Sequence, residues 1–169
     1  MDFRDILKSQ MTEYSEALGN ALEGLTPQER RYQPSPEANH IDFIVWHMAR
    51  VEDTLLNRAI LRRQEIWERG GWGERLGIAE SENGYRFSAE QVTNLPEFSV
   101  EVLMEYYRAV RVELFEFIDS LSEEDLTSLP NPRRPEYPMG DTLKHIVVEE
   151  AQHAGQVAYI RGLQRGFES

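Results

Sequence analysis

The sequence predicts an all-α fold, a four-helix bundle with a long crossover connection between its second and third long helices. Four segments repeat apolar residues at the spacing that keeps one helix face apolar, which favours packed helices over strands. The prolines and most of the glycines fall in the breaks between these segments. The connection over residues 64–98 is longer than a simple turn requires, as expected when a chain crosses a bundle.

The first long helix is predicted from about Phe3 to Glu23, because its apolar residues recur on one face. Gly24 follows it, and a glycine after the last turn commonly ends a helix. The segment Thr26–Glu29 has the pattern of a capping box with proline at the first helical position. It predicts only a short helical turn, because Pro34 and Pro36 follow.

The other three long helices are predicted over residues 39–63, 100–121 and 142–164. Each begins at or just after a short polar side chain that can cap the first free backbone N–H groups. The expected N-cap residues are Asn39, Ser99 and Asp141. A chain of this length supports one hydrophobic core, so a single domain over residues 1–169 is predicted.

The composition excludes several classes of function. The 30 acidic residues outnumber the 18 basic ones and give a formal net charge of -12, which argues against nucleic acid and anionic membranes as partners. The absence of cysteine excludes disulfides, thiolate metal sites and a cysteine nucleophile. No apolar run reaches the roughly 20 residues of a membrane span, and the charged N-terminus lacks a signal core. We therefore expect a soluble cytoplasmic protein.

Three side chains on two of the predicted helices point to a metal site. On a helical wheel His47 lies on the apolar face of the second helix, and Glu149 and His153 share the apolar face of the fourth. A carboxylate directed into an apolar interior is costly unless a cation, hydrogen bonds or protonation compensates it. Two imidazoles and one carboxylate leave coordination positions open, as in catalytic zinc sites and non-haem iron sites.

Other interpretations of these residues stay open at this point. An inward histidine is more often a hydrogen-bonded core residue, and a Glu-x-x-x-His pair is also an ordinary contact within a helix. On that alternative, Glu149 pairs with an internal histidine or arginine, and the protein is a non-catalytic, stress-associated binding or interaction bundle. A non-haem iron oxygenase is a third hypothesis, because the ligand set also suits ferrous iron.

Two segments resemble the signatures of the DinB-like (YfiT-type) superfamily: residues 44–53, IVWHMARVED, and residues 141–156, DTLKHIVVEEAQHAGQ. The resemblance implies a four-helix bundle, often dimeric, with a divalent metal held by three side chains at one end. The two histidines of the family pattern fall on His47 and His153. Glu149 stands where the commonest pattern has a third histidine, which resembles the branch of mycothiol-dependent maleylpyruvate isomerase and related S-transferases.

The resemblance also implies a class of activity. It points to a metal-dependent enzyme acting on a small-molecule substrate, an S-transferase or hydrolase in which the metal activates a low-molecular-weight thiol or water. Zinc is the favoured metal, with nickel, manganese and iron as alternatives, and a homodimer is expected. Any thiol must arrive as a cosubstrate, because the chain has no cysteine. No catalytic residue is assigned.

Further polar and aromatic residues have weaker interpretations. The candidates for orienting the metal-binding imidazoles are Glu52, Glu150 and Gln156, with a solvated charge as the alternative for Glu52. For Arg58 a structural ion pair is favoured over an anionic cosubstrate, and the Arg133–Arg134 pair is interpreted as a solvated loop. Trp67 and Trp72 are expected to pin the crossover to the bundle.

Overall fold

A computed structural model describes residues 1–166, so the last three residues of the predicted 1–169 domain lie outside the described part. The helices are α1 (Phe3–Leu22), α2 (Pro27–Arg30), α3 (Ile41–Asp53), α4 (Ile66–Arg69), α5 (Trp72–Leu76), α6 (Ala89–Thr93), α7 (Val100–Ser120) and α8 (Met139–Arg165). A π-helical segment, Thr54–Ile60, continues α3, and a 3-10 turn, Glu124–Thr127, precedes α8. Because residues 1–166 contain no β-strand, the all-α class is confirmed.

The four long helices contact one another in a ring. Both α1 and α3 pack against α7 and against α8. Two groups of buried apolar side chains fill the space between them, one around Trp46, Trp67 and Tyr106 and the other around Met11 and Leu114. The chain passes from α3 to α7 through the predicted crossover, which carries the short helices α4, α5 and α6.

Two of the three expected N-caps are wrong. The second long helix begins at Ile41, and the N-cap is His40, whose Nδ1 accepts the backbone N–H of Phe43 at 3.1 Å. The prediction followed the general preference for asparagine, but a ring nitrogen satisfies the same orphan donor. The fourth helix begins at Met139 after Pro138, so Asp141 lies inside the first turn. Ser99 caps α7 as predicted, through its hydroxyl and the N–H of Val102.

The second long helix is not a continuous α-helix. Its hydrogen bonding widens at Thr54 to the π form, and the helix ends at Ile60 rather than Arg63. The carboxylate of Asp53 is fully buried there, where it accepts the N–H groups of Ile66 and Trp67 at 3.0 and 2.8 Å. The local widening therefore coincides with the point where the crossover is tied back onto α3.

Aromatic side chains fasten the crossover to the bundle, as expected. Trp67 is completely buried and donates its Nε1–H to the Glu80 carbonyl at 3.1 Å. Its ring packs against Tyr106 of α7 with 5.2 Å between ring centroids, and Trp72 packs against the same tyrosine. The crossover backbone is thereby held at a defined position beside α3.

Among residues 1–166, no helix combines the length and apolarity that crossing a membrane requires.

Candidate metal centre

His47, Glu149 and His153 converge where α3 packs against α8. One potential ligand atom from each side chain lies within 4.8 Å of the other two, and all three side chains are partly buried. His153 Nε2 is 3.1 Å from Glu149 Oε2, and the two imidazole rings meet edge to face with 5.7 Å between centroids. The geometry thus brings together the three residues that the helical periodicity placed on facing apolar stripes.

Both imidazoles are oriented by a hydrogen bond at Nδ1. The Nδ1–H of His47 donates to the backbone carbonyl of Asn83 at 2.8 Å. The Nδ1–H of His153 donates a hydrogen bond to Oε1 of Gln156 at 2.9 Å. In this neutral tautomer each Nε2 keeps its lone pair, and an acceptor on the other ring nitrogen is the usual arrangement behind a metal-binding histidine.

The His47 ring is clamped between α3 and the crossover backbone. Phe43 stacks on one face, with 5.5 Å between centroids and 6° between planes. Gly84 approaches it so closely that a Cβ there would lie 2.6 Å from Nδ1, and its φ of +79° is one that side chains other than glycine rarely adopt. Arg50 anchors this backbone by donating Nε–H to the Glu82 carbonyl at 3.1 Å. Glycine at position 84 is therefore required by the packing.

The electrostatic surroundings favour metal binding by His47. Burial lowers the pKa of its imidazole, so the neutral form that can donate a lone pair persists to lower pH. His145 lies beside the centre, with Nε2 3.9 Å from Glu149 Oε1, and its side chain is more exposed than those of Glu149 and His153.

The residues present fit a divalent cation. Two neutral imidazoles and one carboxylate are a donor set that zinc and ferrous iron accept, and bond lengths of about 2.0–2.2 Å imply donor atoms roughly 3 Å apart. The 3.1 Å separation of His153 Nε2 and Glu149 Oε2 meets that condition. Because the ligand atoms of all three residues lie within 4.8 Å of one another, small side-chain movements would bring them to coordination distance. The type and spacing of the three donor groups are therefore compatible with a divalent cation.

A cavity of about 730 Å³ opens beside the centre. His47 and Glu149 form part of its wall, and the π-helical segment contributes Thr54, Leu55, Arg58 and Ala59. Residues 131–134 and Tyr137, from the loop before α8, contribute to the lining as well. A cavity of this size accommodates a small molecule and gives it access to His47 and Glu149.

Of the three expected orienting residues, only Gln156 contacts an imidazole among the described residues. Glu52 is 1% exposed, so a solvated charge is wrong for it, and both of its oxygens accept from Arg111, at 3.0 and 2.8 Å. Glu150 forms an ion pair with the same guanidinium at 2.6 Å and accepts a hydrogen bond from the hydroxyl of Tyr107 at 2.7 Å. Burial raises the pKa of Glu52, and the Arg111 charge opposes that rise.

Other residues at the site were not predicted. Asn83 and Gly84 hold His47 from the crossover, and the only sequence signal for them is the Asn-Gly pair, a general turn signal. The structure also places Arg133 and Arg134 at the wall of the cavity, so a purely solvated loop is an incomplete description of them. Arg58 forms the expected ion pairs, with Glu65 at 2.8 Å and Glu68 at 2.6 Å, while lining the cavity.

Comparison with known proteins identifies a family and a fold. The family model of the DinB superfamily matches residues 10–157. A crystal structure of a conserved protein from Enterococcus faecalis is 20% identical and has a TM-score of 0.86, covering 96% of this chain and 97% of that one. At this identity the likeness shows the fold alone. Comparison with curated proteins gives no match.

Proposed function

This chain belongs to the DinB superfamily, and on that premise we propose that it is a divalent-metal-dependent enzyme acting on small molecules, an S-transferase or a hydrolase. The observation that carries the proposal is the convergence of His47, Glu149 and His153 beside a cavity whose wall includes His47 and Glu149. Three protein ligands leave coordination positions open, which is the arrangement of catalytic rather than structural sites. Zinc is the favoured metal, with nickel, manganese and iron as alternatives.

The proposed chemistry divides between the cation and the chain. A divalent metal bound here would lower the pKa of a bound water or thiol and supply a nucleophile near neutral pH. The chain contains no cysteine, so a thiol nucleophile comes from a low-molecular-weight cosubstrate. The cavity is large enough to hold such a cosubstrate beside a small electrophile.

The chain's own residues orient the metal-binding imidazoles, exclude water and transfer protons. The Asn83 carbonyl and Gln156 hold the two imidazoles in the tautomer that exposes Nε2. The side chains of Val51, Leu55 and Ala59 give the cavity an apolar wall that limits water around the reacting groups. His145 Nε2, beside Glu149 on the same wall, is placed to accept or return a proton during turnover.

Metal stoichiometry tests the proposal. Protein without a histidine tag, loaded with zinc and dialysed, is expected to retain one zinc per chain by elemental analysis. His153→Ala is expected to lose that zinc, whereas His145→Ala, a change of the same type at the other histidine beside Glu149, retains it. Substoichiometric zinc that His153→Ala leaves unchanged contradicts the proposal.

An activity screen tests the reaction class. Zinc-loaded protein is incubated with several cellular thiols and a chlorinated nitrobenzene, and separately with simple esters and amides. Thioether formation that requires both the metal and His47 identifies an S-transferase, and metal-dependent ester or amide cleavage identifies a hydrolase. The absence of both activities in a fully loaded protein counts against an enzyme of either kind.

One observation favours the non-catalytic alternative. His153 Nε2 lies 3.1 Å from Glu149 Oε2, and in the other tautomer, with the proton on Nε2, it would donate a hydrogen bond that compensates the carboxylate without a metal. A bound metal stabilises the native state by mass action, so adding a chelator to purified protein lowers its melting temperature if the metal is present. A melting temperature that changes neither with chelator nor with added zinc supports the hypothesis of a non-catalytic interaction bundle.

The homodimer is a separate proposal, tested by light scattering.

A further inference from the structure

The cavity beside the metal centre is rich in arginine although the chain as a whole is acidic. The arginines in its lining are Arg50, Arg58, Arg62, Arg133 and Arg134. They amount to five of the 18 basic residues of a chain whose formal net charge is -12. Among the described lining residues, Glu149 is the only acidic one, and it belongs to the metal centre. The lining therefore carries the opposite sign of charge from the chain.

Two of these arginines already have protein partners. Arg50 is buried and pairs with Glu65 at 2.6 Å, and it lies 3.6 Å from Asp53. Arg58 pairs with Glu65 and with Glu68. Their charges are compensated within the fold, so they hold the crossover against α3 and contribute little free positive charge to the cavity.

The other three arginines have no carboxylate partner within 4.0 Å in residues 1–166. Arg62 donates from Nη2 to the Pro130 carbonyl at 3.1 Å, which ties the end of the π-helical segment to the loop before α8. The Arg134 guanidinium lies over the ring of Tyr137, 5.7 Å from its centroid. Neither contact neutralises a charge.

The backbone supports this arrangement at Arg62. Its φ of +53° lies in the left-handed region, where residues other than glycine are uncommon. The unusual conformation occurs two residues after the end of the π-helical segment, and four residues of that segment also line the cavity. Conformations of this kind persist where the surrounding structure imposes them, and they cluster at binding and active sites.

We infer that the cavity binds a small molecule that carries a carboxylate or phosphate group, held by Arg62, Arg133 and Arg134. Guanidinium groups bind both kinds of oxyanion through paired N–H donors. The apolar side chains of Val51, Leu55 and Ala59 contact the carbon skeleton between the anionic group and the metal centre. A volume of about 730 Å³ leaves room for that skeleton.

This inference rests on the proposed function for the position of the reacting group, but the anion site can be tested without metal. Metal-free protein is titrated calorimetrically at low salt with succinate, glycerol 3-phosphate and neutral succinamide. At least one of the two anions is expected to bind ten times or more tightly than succinamide. A preference for succinate identifies a carboxylate ligand, and a preference for glycerol 3-phosphate identifies a phosphate ester.

In a second experiment, the double substitution Arg133→Gln/Arg134→Gln removes two loop arginines that form no ion pair within residues 1–166. It is expected to weaken binding of the preferred anion at least tenfold, and the matched exposed control Arg108→Gln is expected to leave it unchanged. Unaltered melting temperatures show that the variants are folded. Equal binding of succinamide, binding that survives the double substitution, or no binding of either anion overturns the inference. Failure of metal binding alone leaves these titrations interpretable and overturns only the proposed function.

Discussion

Single residues decide whether the His47 imidazole can serve as a metal ligand. The ring is held on one face by Phe43 and at Nδ1 by the Asn83 carbonyl, with Gly84 in close contact. Each of these contacts restricts the ring to the orientation in which Nε2 remains available. Metal affinity should therefore depend on residues that never touch the metal.

Gly84→Ala tests this dependence. The new Cβ would lie 2.6 Å from His47 Nδ1 and 3.0 Å from the Trp46 ring, so the imidazole or the loop must move. We expect zinc affinity to fall about 10- to 100-fold, measured by competition with a chromophoric chelator. Gly71→Ala is the matched control, because Gly71 also has a positive φ, +60°, but has open space around its Cβ position. Equal losses in both variants would show that backbone strain, not displacement of His47, is responsible.

Helix starts and ends depend on contacts that a local pattern does not specify. His40 caps α3 with Nδ1 and donates its Nε2–H to the Val92 carbonyl at 3.0 Å, so the cap exists only in the neutral ring. Burial lowers the pKa of His40 to about 4, from an ordinary value of 6.5. Between those pH values the unfolded chain binds a proton that the folded chain excludes.

This difference predicts an acid-sensitive contribution to stability. The contribution is fully present above pH 6.5 and is lost as the pH falls towards 4, by up to about 3 kcal/mol. His40→Asn keeps a capping side chain but cannot titrate, so its free energy of unfolding should fall less over this range. Urea denaturation at pH 7.0, 5.5 and 4.5 measures the difference between the two proteins. Parallel pH dependences in the two proteins would rule out the proposed role of His40.

One buried guanidinium connects the four long helices of the protein through hydrogen bonds and ion pairs. Arg111 of α7 binds the Met11 carbonyl of α1, Glu52 of α3 and Glu150 of α8, so a single side chain connects its own helix to the other three long helices. A buried charge network of this kind is costly to break, because removing one partner leaves the others unpaired in the interior.

Arg111→Met should therefore destabilise the protein strongly. We expect a loss of about 3–5 kcal/mol in the free energy of unfolding, measured by urea denaturation, because Glu52 and Glu150 would be left without their shared cation. Arg108→Met, an exposed position on the same helix, should change stability by less than about 0.5 kcal/mol. A loss below about 1 kcal/mol for Arg111→Met would mean that the network does not bind the helices together.

The fold class and the three clustered residues could be predicted from the sequence because both follow from helical periodicity. The period places His47, Glu149 and His153 on apolar faces, and facing helices bring such positions together. The π-helical segment and the His40 cap could not be predicted, since tertiary contacts override local preference there. The role of Arg111 was missed for a similar reason, because its partners lie on helices far apart in the sequence.

The most direct test of the central claim is the anomalous diffraction of a crystal of the zinc-loaded protein, collected at the zinc absorption edge. We predict one strong peak per chain within about 2.0–2.2 Å of His47 Nε2, His153 Nε2 and a Glu149 oxygen. A well-ordered crystal with no peak at that point, or with its zinc bound by other residues, would contradict the account.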